Sequence, residues 1–274
     1  MKELVVISGK GGTGKTSITA ALAGLAKNPV LADADVDAPD LELVIEPSVQ
    51  ERNDFYGGVK AGIDPDACIG CGECAAACRF DAIAQTQDGL FAVKPFGCEG
   101  CGVCHLVCPA GAVALTPRKC GQWFVSHTRF GPMVHARLGV AEENSGKLVA
   151  TVRKNAGRIA QETGADAALI VAEPTKSAAH DAKRTLELCN FFQIPTMLAV
   201  NKCGLYPEGE QALKDLAGEL GAAFLGGVPY DPDVTRAMVA KKTVVEYSDG
   251  PAARAVRRLW ENIRARLYAM EKAV

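Results

Sequence analysis

Two groups of four cysteines dominate the middle of this 274-residue chain and limit what that part can fold into. Each group follows the spacing C-x2-C-x2-C-x3-C; the members are Cys68, Cys71, Cys74 and Cys78, then Cys98, Cys101, Cys104 and Cys108. The stretch 68–83 matches the stretch 98–113, which predicts a small module with internal twofold symmetry. The sequence starts with an apolar strand rather than a secretion signal, so we expect a cytoplasmic, reducing location. Clustered cysteines there bind metal more often than they form disulfides.

The spacing of both groups resembles that of bacterial two-cluster ferredoxins, in which the fourth cysteine of each group ligates the other cluster. This resemblance implies two [4Fe–4S] clusters, one held by Cys68, Cys71, Cys74 and Cys108 and the other by Cys98, Cys101, Cys104 and Cys78. Zinc is the less favoured alternative, because it uses two cysteine pairs and leaves the third cysteine of each group superfluous. Arg79 stands where the first group would usually have proline. It either raises the potential of the adjacent cluster or is a tolerated surface residue.

A glycine-rich loop near the N-terminus predicts phosphate binding. Residues 9–16 fit G-x-x-x-x-G-K-[ST] between an apolar strand at 4–8 and a helix predicted for 16–27. The backbone amides of such a loop point inwards, and the helix N-terminus adds its positive end. We expect Lys15 to reach the β- and γ-phosphates and the Thr16 hydroxyl to ligate Mg²⁺. The predicted nucleotide-binding residues here are Gly9, Lys10, Gly11, Gly12, Thr13, Gly14, Lys15, Thr16 and Ser17.

Outside the cysteine-rich part, strands and helices alternate, which predicts an α/β fold with a doubly wound, mostly parallel sheet. We predict strands at 30–35, 123–128, 133–138, 167–172, 196–201 and 223–228, and helices at 148–162, 178–192, 208–220 and 252–271. The strands at 4–8 and 30–35, joined by one helix, are expected to pair in parallel. Residues 1–58 and 119–274 would form this P-loop domain, with an α+β ferredoxin-like module inserted at 59–118. The net charge of −2 gives no reason to expect nucleic acid as a partner.

Polar residues follow several of these strands, at the sheet edge where ligands bind in α/β proteins. Asp33 and Asp35 end the second strand and either serve a nucleotide, with Asp33 in the Mg²⁺ shell, or cap the loop. Asn201 is predicted to hydrogen-bond the base; adenine is favoured because Gly204 stands where a guanine site would have aspartate. Pro229 is predicted to line the base pocket. Ordinary strand-end turns remain the alternative for Asn201 and Pro229.

The loop form K-G-G-T-G-K-T at 10–16, together with the cysteine module, resembles MinD/Mrp/ParA-type P-loop ATPases containing an inserted ferredoxin domain. The segments 144–149 and 173–175 also look like that family. The resemblance implies ATP or ADP with Mg²⁺, and a homodimer in which Lys10 reaches the partner's nucleotide. It makes Lys10, Lys15 and Asp35 the catalytic residues, with Asp35 orienting the attacking water. It further implies electron transfer or iron–sulfur and metal-cofactor handling, with a redox partner or metalloprotein target.

One segment of that family is missing from the chain. Its members have a strand ending in aspartate, then a Pro-Pro-Gly-like loop, before the strand that leads into Glu-Pro-Thr. Here the helix predicted for 148–162 runs almost directly into the strand at 167–172. On the order of twenty residues, a strand and part of a crossover, are absent. We therefore expect unpaired neighbouring strands unless they close the gap, and hydrolysis to suffer more than nucleotide binding.

The C-terminal segment has apolar residues at helical spacing, namely Val256, Leu259, Trp260, Ile263, Leu267 and Met270. We expect this helix to pack on the sheet; the alternative is a basic amphipathic helix that lies on a membrane. The leading functional hypothesis is an ATPase that couples nucleotide binding to electron transfer or cluster delivery. The alternatives are a non-hydrolysing electron carrier or cluster scaffold with a vestigial nucleotide site, and a membrane-positioning ATPase.

Overall fold

The computed structural model describes residues 3–8, 11–139, 145–160 and 167–269. Four strands form an all-parallel sheet in the order β1-β8-β9-β10. These strands are β1 (Leu4–Ile7), β8 (Ala167–Ala172), β9 (Thr196–Cys203) and β10 (Ala223–Pro229). Alternate residues of β9 enter two different apolar cores, so both faces of this sheet are covered, as parallel sheets require.

The helices that cover the first sheet are α1 (Lys15–Leu25), α6 (Lys176–Phe191), α7 (Pro207–Glu219), α8 (Pro232–Val239), α9 (Val244–Tyr247) and α10 (Pro251–Ala269). Helix α10 packs on β10 and α1, and it buries Val256, Leu259 and Ile263 completely or nearly so. Its apolar face therefore belongs to the core, as the packed interpretation predicts; Met270 lies outside the described residues. Within the described ranges, every helix is too short or too polar to span a bilayer.

A second four-stranded sheet has the order β2-β7-β6-β3, in which only β2 and β7 are parallel. Its strands are β2 (Leu31–Asp33), β3 (Ser48–Ile63), β6 (Val113–His127) and β7 (Pro132–Leu138). Helix α5 (Ser145–Ala160) covers one face through Leu148 and Val152, and the short helix α2 (Leu41–Ile45) covers the other. The mostly parallel α/β architecture is confirmed, but it is divided between two sheets.

The predicted parallel pair of β1 and β2 is wrong. In the structure β1 pairs only with β8, and β2 pairs only with β7, so each has one edge without a strand partner among the described residues. The division falls where the missing strand of the resembled family would leave a gap. Helix α1 spans the two halves, because Ile18 and Leu22 enter the core of the first sheet while Ala20 and Ala23 enter that of the second.

An arginine in the β6–β7 turn also joins the two halves. The Arg129 guanidinium donates to both carboxylate oxygens of Glu246 on α9, at 2.9 and 3.0 Å. It also donates to the backbone carbonyls of Val44 and Ile45 on α2, at 3.2 and 2.9 Å. Arg129 therefore connects the β6–β7 turn of the second sheet to helix α9, which packs on the first sheet.

The cysteine-rich module lies at the far end of the long β3–β6 ribbon. It contains α3 (Glu73–Ala76), β4 (Ile83–Gln85), β5 (Phe91–Val93) and α4 (Val103–Val107). Both ribbon strands run through the boundaries predicted at 58/59 and 118/119 without a linker. The register shifts between Tyr56 and Val59, which is a bulge that bends a strand without ending it.

Candidate functional site

The phosphate loop lies between β1 and α1, at the carboxyl edge of the parallel sheet. Gly12 and Gly14 have φ values of 78° and 88°, a left-handed conformation that the tight turn requires and that glycine adopts without strain. Gly14 is the N-cap of α1, so the helix N-terminus opens into the loop and Lys15 begins the helix. Gly9 and Lys10 lie outside the described residues.

Residues at the end of β9 hydrogen-bond backbone carbonyl groups of this loop. The Asn201 amide donates to the Thr13 carbonyl at 2.8 Å. The Lys202 ammonium donates to the Gly12 carbonyl at 2.9 Å and pairs with Glu173 at 3.0 Å. The base-binding role of Asn201 stays a prediction; its contact in the structure is with the loop. The contact of Lys202 with the loop was not predicted from the sequence.

A buried hydroxyl inside the loop lacks a hydrogen-bond partner. Thr13 is 1% exposed, and its Oγ1 is one of the buried side-chain atoms without a partner in the described part of the chain. Buried polar groups are almost always hydrogen-bonded, so an orphan needs an explanation. A ligand oxygen in the loop would provide the missing partner.

Two aspartates after β2 face the loop from the second sheet. The Lys15 ammonium lies 3.3 Å from an Asp35 oxygen, an ion pair that crosses the division between the sheets. The Asp33 carboxylate is 8% exposed and accepts hydrogen bonds from the backbone N–H groups of Asp35 and Leu41. Burial raises the pKa of Asp33 to about 6 despite those donors. The predicted nucleotide and Mg²⁺ residues Lys15, Asp33 and Asp35 are thus brought together.

The remaining predicted nucleotide residues lie at the same sheet edge. Thr16 is half-buried at the second position of α1. The Ser17 hydroxyl donates to the Met238 sulfur of α8 at 3.3 Å. Pro229 ends β10 and pairs with Cys203 in the sheet, and the exposed Tyr230 follows it. The base-binding role of Pro229 stays a prediction.

Two cavities in the module are each lined by four cysteines. The proximal cavity, nearer the α/β body along the ribbon, encloses about 350 Å³ including space open to solvent, and its cysteines are Cys78, Cys98, Cys101 and Cys104. The distal cavity encloses about 300 Å³, and its cysteines are Cys68, Cys71, Cys74 and Cys108. Each cavity therefore combines three cysteines of one group with the fourth of the other. These are the two sets that the ferredoxin resemblance implies.

The two halves of the module repeat one local geometry. Gly72 and Gly102 are the N-caps of α3 and α4, at φ values of 80° and 79°. The left-handed turn at each glycine directs the chain so that Cys74 and Cys104, the second residue of each short helix, face inwards and are buried. The repeat in the sequence therefore corresponds to two similar segments, each of which lines one of the two cavities.

The thiols inside the cavities lie in an apolar environment that disfavours an isolated thiolate. Burial raises the pKa of Cys74, with Cys108 and Cys68 as the neighbouring groups that raise it further. Burial likewise raises the pKa of Cys104, beside Cys98 and Cys101. A positively charged iron core would reverse this penalty, because cluster ligands are thiolates. The cavity shape and the donor set both fit a [4Fe–4S] cluster.

No single-ion site accompanies these cavities within the described ranges, where no three or more histidine, cysteine or acidic residues are arranged to hold one metal ion. The cysteines are instead spaced around each cavity. The three other cysteines, Cys120, Cys189 and Cys203, lie outside both cavities. Cys120 and Cys189 are buried in the apolar core, and burial raises the pKa of Cys203 to about 11, so all three are packing residues in the structure.

Comparison with known proteins matches both parts of the chain. Residues 61–115 match the 4Fe-4S dicluster domain family. An uncharacterized protein of Methanocaldococcus jannaschii is 32% identical over 96% of this chain and 96% of its own length. That alignment extends over 287 positions, more than this chain contains, so the relative has residues that this chain lacks.

Two further similarities are more partial. The cytosolic Fe-S cluster assembly factor NBP35 of Eremothecium gossypii is 31% identical over 117 residues, which cover 38% of this chain and 35% of that protein. The cell division ATPase MinD of Pyrococcus furiosus has a similar structure, with a TM-score of 0.52, 19% identity, and coverage of 97% of this chain and 99% of that one. At that identity the likeness shows the fold alone.

Proposed function

This chain belongs to the same family as the Methanocaldococcus jannaschii relative and combines a MinD/ParA-like fold with a 4Fe-4S dicluster domain, and from that premise we propose an ATP-dependent iron–sulfur protein. In this proposal the nucleotide state controls the redox properties or the accessibility of two [4Fe–4S] clusters. Electron transfer or delivery of a cluster or metal cofactor to a partner protein is the outcome. The similarity to NBP35, whose name describes cluster assembly, supports this direction.

One observation carries the proposal: the second sheet connects the aspartates next to the phosphate loop with the cysteine module. Strand β2 ends at Asp33, two residues before Asp35, and an Asp35 oxygen lies 3.3 Å from the Lys15 ammonium of the phosphate loop. Strand β2 pairs with β7, β7 with β6, and β6 with β3, and the β3–β6 ribbon forms the walls of the cysteine module. A displacement of β2 when Lys15 exchanges Asp35 for a phosphate would therefore reach the clusters through backbone hydrogen bonds.

In this proposal, each residue at the phosphate loop has its own role in nucleotide binding. Lys15 neutralises the β- and γ-phosphates, the loop amides and Thr13 Oγ1 hydrogen-bond phosphate oxygens, and Thr16 and Asp33 complete the Mg²⁺ shell. Asp35, once released from Lys15, orients a water molecule. Lys10 acts across a homodimer interface in this proposal, as the family resemblance implies.

In this proposal, each of the two cavities binds one cluster through its four cysteines. Three cysteines of one group enclose one side of a cavity, and the fourth from the other group closes it, so the module can be complete only when both groups are folded together. Bound clusters would supply one-electron transfer.

A redox titration of the anaerobically purified chain, with and without MgATP, tests the coupling. We expect the midpoint potential of at least one cluster to shift when MgATP binds, and Lys15→Ala to abolish the shift without loss of iron. Lys183→Ala, an exposed lysine on α6, is the matched control and should behave like the unaltered chain. Identical titrations in the presence of bound MgATP would contradict the proposal.

The divided sheet favours a second candidate function. In it, the chain is a scaffold or electron carrier that binds nucleotide without hydrolysing it rapidly. Among the described residues no strand lies between β1 and β2, and the sequence lacks the Asp-x-Pro-Pro-Gly segment that would supply another carboxylate for Mg²⁺. Stoichiometric bound ATP with phosphate release at background level supports this candidate. Phosphate release above background that Asp35→Asn abolishes contradicts it.

A further inference from the structure

The basic residues of the cysteine module are gathered at one of its two cavities. All the lysines and arginines of residues 59–118 lie on the side of the proximal cavity, namely Lys60, Arg79, Lys94 and Arg118. The Arg118 guanidinium donates to the carbonyl of Cys98 at 2.9 Å. The Lys60 ammonium donates to the carbonyl of Pro95, three residues before that cysteine, at 2.6 Å.

The other two cations belong to segments that border the proximal cavity. Arg79 directly follows Cys78, and its guanidinium lies 4.8 Å from the ring centroid of Phe80, which lines the cavity. The main chain of Lys94 is held beside the cavity, because its N–H donates at 2.7 Å to the carbonyl of Ala82, another lining residue. The Lys94 ammonium itself pairs with Asp81, so Arg79, Lys60 and Arg118 contribute most of the positive charge near this cavity.

The acidic residues are distributed the other way. Four of them accompany the distal cavity: Asp64, Asp66, Glu73 and Asp88. The carbonyl of Asp64 accepts the N–H of Cys68, and Glu73 begins α3 beside Cys74. Asp88 precedes Gly89, whose carbonyl packs against Gly70 in the distal cysteine loop. On the proximal side, Asp81 is paired with Lys94 at 2.8 Å, and Glu99 lines the cavity.

Backbone donors add to the difference in charge. The N–H of Ala61 donates to the Cys98 sulfur at 3.5 Å, and the N–H of Ala82 donates to the Cys78 sulfur at 3.4 Å. Both of these sulfurs belong to the proximal cavity. Hydrogen bonds to ligand sulfurs, together with nearby net charge, are main determinants of an iron–sulfur cluster's reduction potential.

The proximal cavity is also the one nearer the nucleotide-binding body. Gly100 packs against the carbonyl of Val59, and Cys98 contacts Ala61. The distal loop packs farther along the ribbon, where the N–H of Asp64 donates to the Ala112 carbonyl at 2.9 Å. The charge gradient therefore follows the ribbon, and its positive end lies towards the α/β body.

We propose that these side chains make the two cluster sites unequal, so that the first electron entering the module occupies the proximal cavity. The inference rests on the proposed function, because it requires both clusters. An external low-potential one-electron reductant supplies the electron; the proximal site gains one negative charge, the distal site is unchanged, and no bond or proton is transferred. The cations and the two N–H donors stabilise that added charge, while the carboxylates around the distal cavity oppose it there.

Two exposed residues offer a matched test, because each stands beside a cluster ligand and each change removes one charge. Arg79→Gln removes a cation next to Cys78, and Glu73→Gln removes an anion next to Cys74. The iron-loaded chain is titrated with dithionite, and the reduced fraction is followed by electron paramagnetic resonance. We expect two midpoints, with Arg79→Gln lowering only the higher one and Glu73→Gln raising only the lower one. Each ratio of reduced to oxidised cluster should change roughly three- to tenfold at a fixed potential.

The outcomes separate this inference from the function on which it rests. Iron-loaded protein with one shared midpoint, or an Arg79→Gln variant in which only the lower midpoint moves, overturns the inference while leaving the cluster assignment intact. Anaerobic protein without bound iron overturns the proposed function and the inference together. Equal iron content in both variants excludes loss of a cluster as the cause of any shift.

Discussion

The phosphate loop and the cysteine module are stabilised in opposite ways. Around the loop, polar side chains already contact the main chain or one another: Lys202 and Asn201 hold loop carbonyls, and Lys15 holds Asp35. The module has helices of four and five residues and strands of three, too short to be stable alone. Cysteines make up much of its apolar cluster. The phosphate loop is thus preorganised by the fold, whereas we expect the module to depend on what its cysteines bind.

Removing one buried cluster ligand should have the largest effect. Cys74 and Cys189 are both 6% exposed, so Cys74→Ala and Cys189→Ala remove equally buried thiols. We expect Cys74→Ala to lose about half of the bound iron and to make residues 59–118 sensitive to proteolysis, because metal binding and folding are coupled. Cys189→Ala should keep its iron. Iron content and limited proteolysis of the anaerobic proteins provide the measurement.

The same experiment examines the crossing between the two cysteine groups. Cys108→Ala should lose the cluster that Cys74→Ala loses, although the two residues belong to different groups. Spectra of the double variant that match those of either single variant would agree with this. Loss of both clusters in the double variant, with one lost in each single variant, would separate Cys108 from the distal cavity.

Lys15→Ala should come next in size and affect only the preorganised site. Loss of the ammonium removes the charge opposite the phosphates, and we expect ATP binding to weaken about 100-fold, which corresponds to about 2.7 kcal/mol. Iron content should not change. Isothermal titration with ATP and Mg²⁺ gives the affinity, with Lys183→Ala as the control; unchanged affinity in Lys15→Ala would contradict the assignment of the loop.

Lys202→Met tests whether the hydrogen bond from Lys202 positions the phosphate loop. The variant loses the bond to the Gly12 carbonyl and the pair with Glu173, so the loop should populate other conformations and ATP affinity should fall about tenfold. Glu173→Gln combined with Lys202→Met should cost less than the sum of the single changes, because the two side chains interact. Strictly additive losses would mean that the pair does not position the loop.

The smallest expected effect is a pH dependence at Asp33. Its carboxyl must be ionised to bind Mg²⁺, and with a pKa of about 6 we expect MgATP affinity to rise about fourfold from pH 5.5 to pH 7. Asp33→Asn should make the profile flat. Affinities measured at constant ionic strength across that range provide the check, and a flat profile in the unaltered chain would contradict the role of Asp33.

The same raised pKa affects stability in the absence of nucleotide. Because the folded pKa of Asp33 lies above its unfolded value of 3.8, its contribution is fully present below pH 3.8 and is lost as the pH rises through 6. The loss by pH 8 is at most about 3 kcal/mol. About 1.4 kcal/mol of this loss falls between pH 5 and pH 8. Urea unfolding at those two pH values should show that difference, and it should shrink in Asp33→Asn.

Local patterns in the sequence were sufficient for part of this structure. Helix α1 and strand β8 fall within a few residues of their predicted bounds, because apolar periodicity and the glycine loop mark them locally. Both elements depend on residues close together in the chain. The grouping of Cys108 with Cys74 is different: it is what the resemblance to two-cluster ferredoxins implies, and the lining of the distal cavity agrees with it.

The features that the sequence argument missed depend on distant pairing. Strand β3 was not predicted, since much of its length is exposed and polar and it is stable only through pairing with β6. The bond from Lys202 joins Gly12, 190 positions away, to a side chain that carries no local signal. The prediction that β1 and β2 pair in parallel is wrong, because each strand pairs with one that is distant in the sequence, β1 with β8 and β2 with β7.

The uninterrupted ribbon has a mechanical consequence. Half of β3, residues 56–63, extends beyond the part of β6 that pairs with β7. At about 3.3 Å per residue this half makes an arm of roughly 26 Å with the cysteine module at its tip, and a tilt of about 10° at its base would carry the tip by roughly 5 Å. If the proposed exchange of partners by Lys15 tilts this arm, the module moves farther than the exchanged atoms do.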